Sequence, residues 1–105
     1  MRIILTIVSL AALTVTAGFA ADVTAGQATY NKSCKGCHGA DGTPSPGIAK
    51  MFPGMKALSS SEAQATSDAD MKAIITAGKG KMRPVASVTG PAVDNVVAYV
   101  RTLKK

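Results

Sequence analysis

The chain has no tryptophan, a single histidine at position 38 and two cysteines, and beyond Phe19 only Tyr30, Phe52 and Tyr99 supply aromatic rings. A small domain so poor in aromatics has little with which to build a deep core, and such domains usually add a disulfide, a metal or a cofactor. The cysteine count narrows the choice. Cys34 and Cys37 are too close in sequence for a disulfide to constrain the unfolded chain much. With His38 as the one imidazole, there is no second set of ligands to finish a zinc site. Acidic residues are scarce as well: six Asp and Glu stand against twelve Lys and Arg, a formal net charge of +6. That balance favours anionic partners. Nucleic acid fits badly, because basic and aromatic residues are not interleaved and no nucleic-acid motif occurs. An acidic protein surface fits better. No alternating Val/Ile/Thr segment with hairpin signals is found, and no repeat divides the 105 residues, so one all-α domain is expected.

What is present begins with an N-terminal segment unlike the rest. Arg2 gives a short positive start, Ile3 to Val15 is almost unbroken apolar sequence, and Gly18-Phe19-Ala20 supplies small residues before a cut that leaves Ala21 as the new N-terminus. The apolar run falls short of the roughly 20 residues a membrane span needs. Residues 1–20 are therefore expected to be a secretory signal peptide and residues 21–105 the working domain, located in the periplasm, without stable membrane insertion once the signal is removed.

Three helices are legible in the remainder. The first opens at Thr24, three residues ahead of Gln27 in a capping-box spacing, and runs through Tyr30 to about Cys34. The second has Ser67 as N-cap, Asp68 and Asp70 in its first turn, Met71, Ile74 and Ile75 on one face, and Gly78 to end it. The third starts near Thr89, with Gly90 and Pro91 at its beginning, and places Val93, Val96, Val97, Val100 and Leu103 on one face. Between the first two lies a stretch from Gly39 to Thr66 broken by Pro44, Pro46, Gly47, Pro53 and Gly54, with room for short helical turns at Ile48 to Phe52 and after Ser60 or Ser61. So long a connection makes sense if it wraps around a large buried object.

Cys34-Lys35-Gly36-Cys37-His38 has the C-x-x-C-H pattern of c-type haem attachment. Each thiol adds across a vinyl group of the haem, the i, i+3 spacing sets the sulfurs about one helical turn apart, and His38 follows as proximal iron ligand. A thioredoxin-like pair would need a βαβ setting that this chain does not show. Because His38 is the only histidine, a second histidine ligand from the same chain is excluded, and methionine is the next donor to consider. Met71 belongs to a helical stripe with Ile74 and Ile75, and Met51 and Met55 flank Phe52-Pro53-Gly54 as padding for the haem pocket. Met82 stands in Gly78-Lys79-Gly80-Lys81-Met82-Arg83-Pro84, where flexible glycines and a stiff proline let a loop present one side chain to a flat face. It is the expected sixth ligand, the alternative being a surface loop with a stray methionine.

Cys34 to His38 near the start of the domain, Gly78 to Pro84 after a helix, and the closing Val96-Val97-Ala98-Tyr99-Val100-Arg101-Thr102-Leu103 resemble the bacterial monohaem class I cytochromes c. The resemblance covers the chain after the signal. It implies a cytochrome c-like fold of about three main helices around one covalently attached haem, with the first and last helices crossing where Gly26 and Tyr30 meet Tyr99. It also implies a proline packed against the proximal histidine, whose carbonyl accepts the ring N–H: Pro46 in this sequence, with Pro44 close by. One departure is Arg83, which intervenes between Met82 and Pro84. The function implied is electron transfer between redox proteins of an exported respiratory chain, by a monomer that is not an enzyme. A haem-based ligand binder with an open sixth site and a tethered subunit of a larger oxidoreductase are the alternatives. For a free carrier, the intact mass of the exported protein should equal residues 21–105 plus one haem; the full chain plus haem would indicate a tether.

Overall fold

The computed structural model describes residues 21–105; the expected signal peptide lies outside the described residues. The domain is all-α: α1 (Val23–Ser33), α2 (Lys35–His38), α3 (Pro46–Met51), α4 (Ser61–Ala65), α5 (Asp68–Ala77) and α6 (Pro91–Thr102). The only β-pairing among the described residues is a single bridge between Lys79 and Met82.

The helix starts follow local chemistry. Ser45, Ser60 and Ser67 each turn a side-chain oxygen onto an N–H of the helix that follows, capping α3, α4 and α5. For α1 the cap is Asp22, two residues before the expected Thr24: its carboxylate accepts from the Ala25 N–H at 3.1 Å. A charged acceptor at the positive end of a helix is the better cap, and it draws Thr24 into the first turn. Asp22 is itself held from α6, since its N–H donates to Asn95 Oδ1 at 2.8 Å. Pro91 occupies the first position of α6, following Gly90 at φ +58°.

The most extensive helix packing is between α1 and α6. Gly26 makes it possible: a Cβ there would lie 1.9 Å from the Asn95 carbonyl oxygen and 3.1 Å from Tyr99 Cβ. One turn along α1, Tyr30 is fully buried, and its ring meets that of Tyr99 at 5.1 Å between centroids with a 59° tilt. This is the crossing the resemblance implied. Val93, Val96, Val97 and Val100 continue the buried face of α6, and Met71 and Ile75 of α5 close the core with Val88. Met71 is therefore core, as its stripe indicated.

The long connection is pinned to α6 by two polar side chains. Gln64 Nε2 donates to the carbonyls of Leu58 (2.8 Å) and Val100 (3.0 Å). Arg101 donates to the Gln64 carbonyl (2.7 Å), the Thr66 carbonyl (2.6 Å) and, through Nε and Nη2, to Asp68 Oδ1. An ion pair between Lys72 and Asp94 links α5 to the first turn of α6.

Gly26→Ala should force α1 off α6 and lower stability by about 3 kcal/mol, the upper part of the range for overpacking, because the clash is with backbone. Gly47→Ala, with no atom within 4 Å of the added Cβ, should change it by less than about 1 kcal/mol. Thermal unfolding of both variants checks the pair.

Candidate haem site

Segment 34–38 is one tight turn hung from the end of α1. The Cys34 N–H donates to the Tyr30 carbonyl at 2.8 Å, ending α1, and the Cys34 carbonyl accepts from the N–H groups of Cys37 (3.3 Å) and His38 (3.0 Å). One turn therefore separates the two thiols. They are not bonded to each other: Cys34 is half-buried against the edge of the core and Cys37 is exposed. Burial pushes the Cys34 thiol pKa up, keeping it as S–H.

The chain leaves His38 through a reversal that only glycine accommodates. Gly39 has φ +81°, and a Cβ there would lie 2.0 Å from the Thr43 carbonyl oxygen. Its carbonyl accepts from the Tyr30 hydroxyl at 2.6 Å and from the Gly42 N–H at 3.3 Å. Asp41 then accepts from the Thr43 N–H at 3.0 Å.

His38 is half-buried, and its Nδ1 lies inside the protein with no hydrogen-bond partner. Burial lowers the imidazole pKa, favouring the neutral ring. A neutral imidazole with an unsatisfied nitrogen beside two unlinked thiols suits a haem that is attached through sulfur and ligated through nitrogen. The Pro46 carbonyl does not supply the missing partner. Pro46 is exposed at the first position of α3, where its carbonyl belongs to the helix ladder, while Pro44 is half-buried.

Met82 lies on a turn built by backbone. Lys79 and Met82 exchange two N–H to carbonyl bonds of 3.0 Å, with Gly80 at φ +58° between them. Gly78 ends α5 at φ +80°, where a Cβ would come within 2.7 Å of the Met82 carbonyl oxygen and 3.0 Å of the Pro84 nitrogen. Pro84 thus packs onto Gly78, and Arg83 is carried outward. The Val85 N–H returns the chain to α5 by donating to the Ile75 carbonyl at 2.8 Å. Met82 is half-buried, whereas Lys79, Lys81 and Arg83 are exposed. Lys81 Nζ sits 5.9 Å from the centre of the Phe52 ring, which brings the long connection beside this turn. Met55 is half-buried on the long connection, and Met51, on α3, is 63% exposed.

The family model described as cytochrome c oxidase, cbb3-type, subunit III, matches residues 21–100. The chain belongs to this family. A solved structure, the KustC0563 c-type cytochrome, is 34% identical to this chain with a TM-score of 0.66, over 76% of this chain and 98% of that one. Among curated proteins none matches. The protein is thus a small c-type cytochrome with covalently bound haem c, and its chemistry is electron transfer with redox partners. When bound, the haem supplies an iron that gains and loses one electron. No helix among the described residues is long and apolar enough to cross a membrane.

Two features of this c-type cytochrome lay beyond the sequence reading. The Tyr30 hydroxyl bond to Gly39 had one available signal, a tyrosine where a buried phenylalanine would pack equally well, since a buried hydroxyl needs a partner. The Arg101 clamp had none, because its carbonyl acceptors belong to a loop whose path the sequence does not define.

Proposed function

We propose that this cytochrome is a free, monomeric periplasmic electron carrier in which Cys34 and Cys37 hold the haem by thioethers and His38 and Met82 are the axial ligands. The observation that supports it best is the buried, unpartnered nitrogen of His38 on the turn that carries both thiols. Met82 is the methionine carried on a turn that its own backbone closes, and Met71 is in the core; loss of the sulfur-to-iron band in Met55→Ala with Met82→Ala unaffected would move the ligand to the long connection. Pro44 and Pro46 are the proximal-side prolines in this reading, Pro44 the more buried. A thioether is a soft, neutral donor that favours reduced iron, and two protein ligands leave no position for a substrate. The chain therefore holds and tunes the haem and performs no catalysis on a bound molecule. The family's description gives some support to a tethered oxidase subunit, the alternative that intact mass addresses.

The charges fit an acidic partner. Four acids are taken up in ion pairs, Glu62 with Lys56, Asp68 with Arg101, Asp94 with Lys72 and Asp41 with Lys105. Asp22 caps α1, and Asp70 is in the first turn of α5. Lys32 and Lys35 beside the attachment turn, and Lys79, Lys81 and Arg83 around Met82, are exposed and enter none of these pairs. They form the positive rim of the proposed docking face.

The ligand assignment predicts a weak near-infrared sulfur-to-iron band in the oxidised protein that Met82→Ala erases, together with a lower reduction potential and new binding of small ligands. A parent that lacks the band and takes up carbon monoxide at neutral pH has an open sixth site and is a ligand binder. Docking through the rim predicts that electron transfer to an acidic partner slows as salt rises, because charges beyond about 8 to 10 Å are screened near physiological ionic strength. Stopped-flow rates over a salt series, unchanged for every efficient partner, would instead point to apolar docking.

A further inference from the structure

Tyr30 touches the attachment segment at both ends. Upstream, its carbonyl accepts the Cys34 N–H at 2.8 Å; downstream, its hydroxyl donates to the Gly39 carbonyl at 2.6 Å. The residues between these two bonds include both thiols and His38. Gly39 directly follows His38, so whatever fixes the Gly39 peptide also fixes the backbone from which the imidazole projects. The short bond is made by a residue that cannot drift: Tyr30 is 0% exposed, packed against the tilted ring of Tyr99, and seated where Gly26 brings α1 onto α6. Burial also pushes the Tyr30 pKa up to about 12, so the phenol stays a donor at any physiological pH.

We infer that Tyr30 is a positioning residue for His38, bracketing the attachment turn between its carbonyl and its hydroxyl so that the plane of the imidazole is set by the α1–α6 crossing. This rests on the proposed role of His38 as iron ligand. The backbone bond to Cys34 would be made by any residue at position 30. The hydroxyl bond needs tyrosine, and it gives the tyrosine a reason that packing alone does not.

Tyr30→Phe keeps the ring and removes only this donor. The control is Tyr99→Phe, which removes a hydroxyl from the same ring pair but none that bonds to segment 34–39. In the ferric protein the paramagnetic shifts of the haem methyl protons report the orientation of the axial imidazole. Tyr30→Phe should change their pattern and displace the midpoint potential, while Tyr99→Phe leaves both at the parent values. A Tyr30→Phe protein that melts earlier with parental methyl shifts and potential would show the bond to be fold support only, and equal changes in both variants would show general loosening of the core; either overturns the proposal. If Tyr30→Phe does not mature, 3-fluorotyrosine at position 30 keeps the hydroxyl and strengthens it as a donor, and an unaltered methyl pattern there overturns the proposal as well. A pyridine haemochrome assay on each protein separates the two levels: a spectrum without thioether-linked haem in the parent removes the attachment reading and this inference with it, whereas a normal spectrum with unmoved methyl shifts removes this inference alone.

Discussion

Helix α1 can lie on α6 only because residue 26 has no side chain, and most of what surrounds the haem site depends on that approach. With the Asn95 carbonyl occupying the space a Cβ would need, the two backbones come close enough for the rings of Tyr30 and Tyr99 to meet, tilted, one turn further on. Such an aromatic pair contributes about 0.5–1.5 kcal/mol beyond its buried area. Its larger consequence is positional. Tyr30 emerges from the crossing at a fixed depth, and from there its carbonyl and hydroxyl reach Cys34 and Gly39. A contact between two helix backbones is thus transmitted through one side chain to the turn that carries Cys34, Cys37 and His38.

Helix α6 organises the opposite flank by polar means. Among the described residues of the long connection, Leu58 is the hydrophobic side chain that packs against the core. The connection is also held by carbonyls that accept from Gln64 and Arg101. Because Arg101 is about one-third exposed, its pair with Asp68 is screened by solvent and adds little by itself. The bonds to loop carbonyls matter more, since they satisfy backbone acceptors with a charged, planar donor. Acidic side chains around α4, α5 and α6 are taken up in ion pairs, and the cations near the attachment turn and the Met82 turn enter none of them.

Much of this was legible in local sequence, and the exceptions share a physical cause. The attachment pattern, the Ser67 to Gly78 helix and the valine face of α6 each depend on residues within two or three turns of one another, so spacing alone identifies them. The α1 cap could be misplaced by two residues because Asp22 and Thr24 are both competent, and the choice is settled by Asn95, far along the chain. Pro46, the proline that the resemblance sets beside the proximal histidine, stands at the first position of a helix that Ser45 caps, a local signal the sequence also carried. Met51 follows the same helix to the surface. What stayed hidden were the long-range polar bonds of Tyr30, Gln64 and Arg101, whose acceptors are backbone carbonyls and carry no residue signature.

The Met82 turn shows how one short segment can serve two demands. Under the proposed ligation, a sulfur donor must keep its place while iron changes charge, since any rearrangement of the coordination shell slows electron transfer. Met82 is half-buried, and its place is set first by the backbone of its turn. The reciprocal bonds with Lys79, the crossing of Pro84 over Gly78 and the bond from Val85 to Ile75 hold the backbone on both sides of it. A turn held by its main chain leaves its other side chains uncommitted. Lys79, Lys81 and Arg83 can therefore face solvent as a docking surface without loosening Met82, while the contact of Lys81 with Phe52 ties that surface to the long connection.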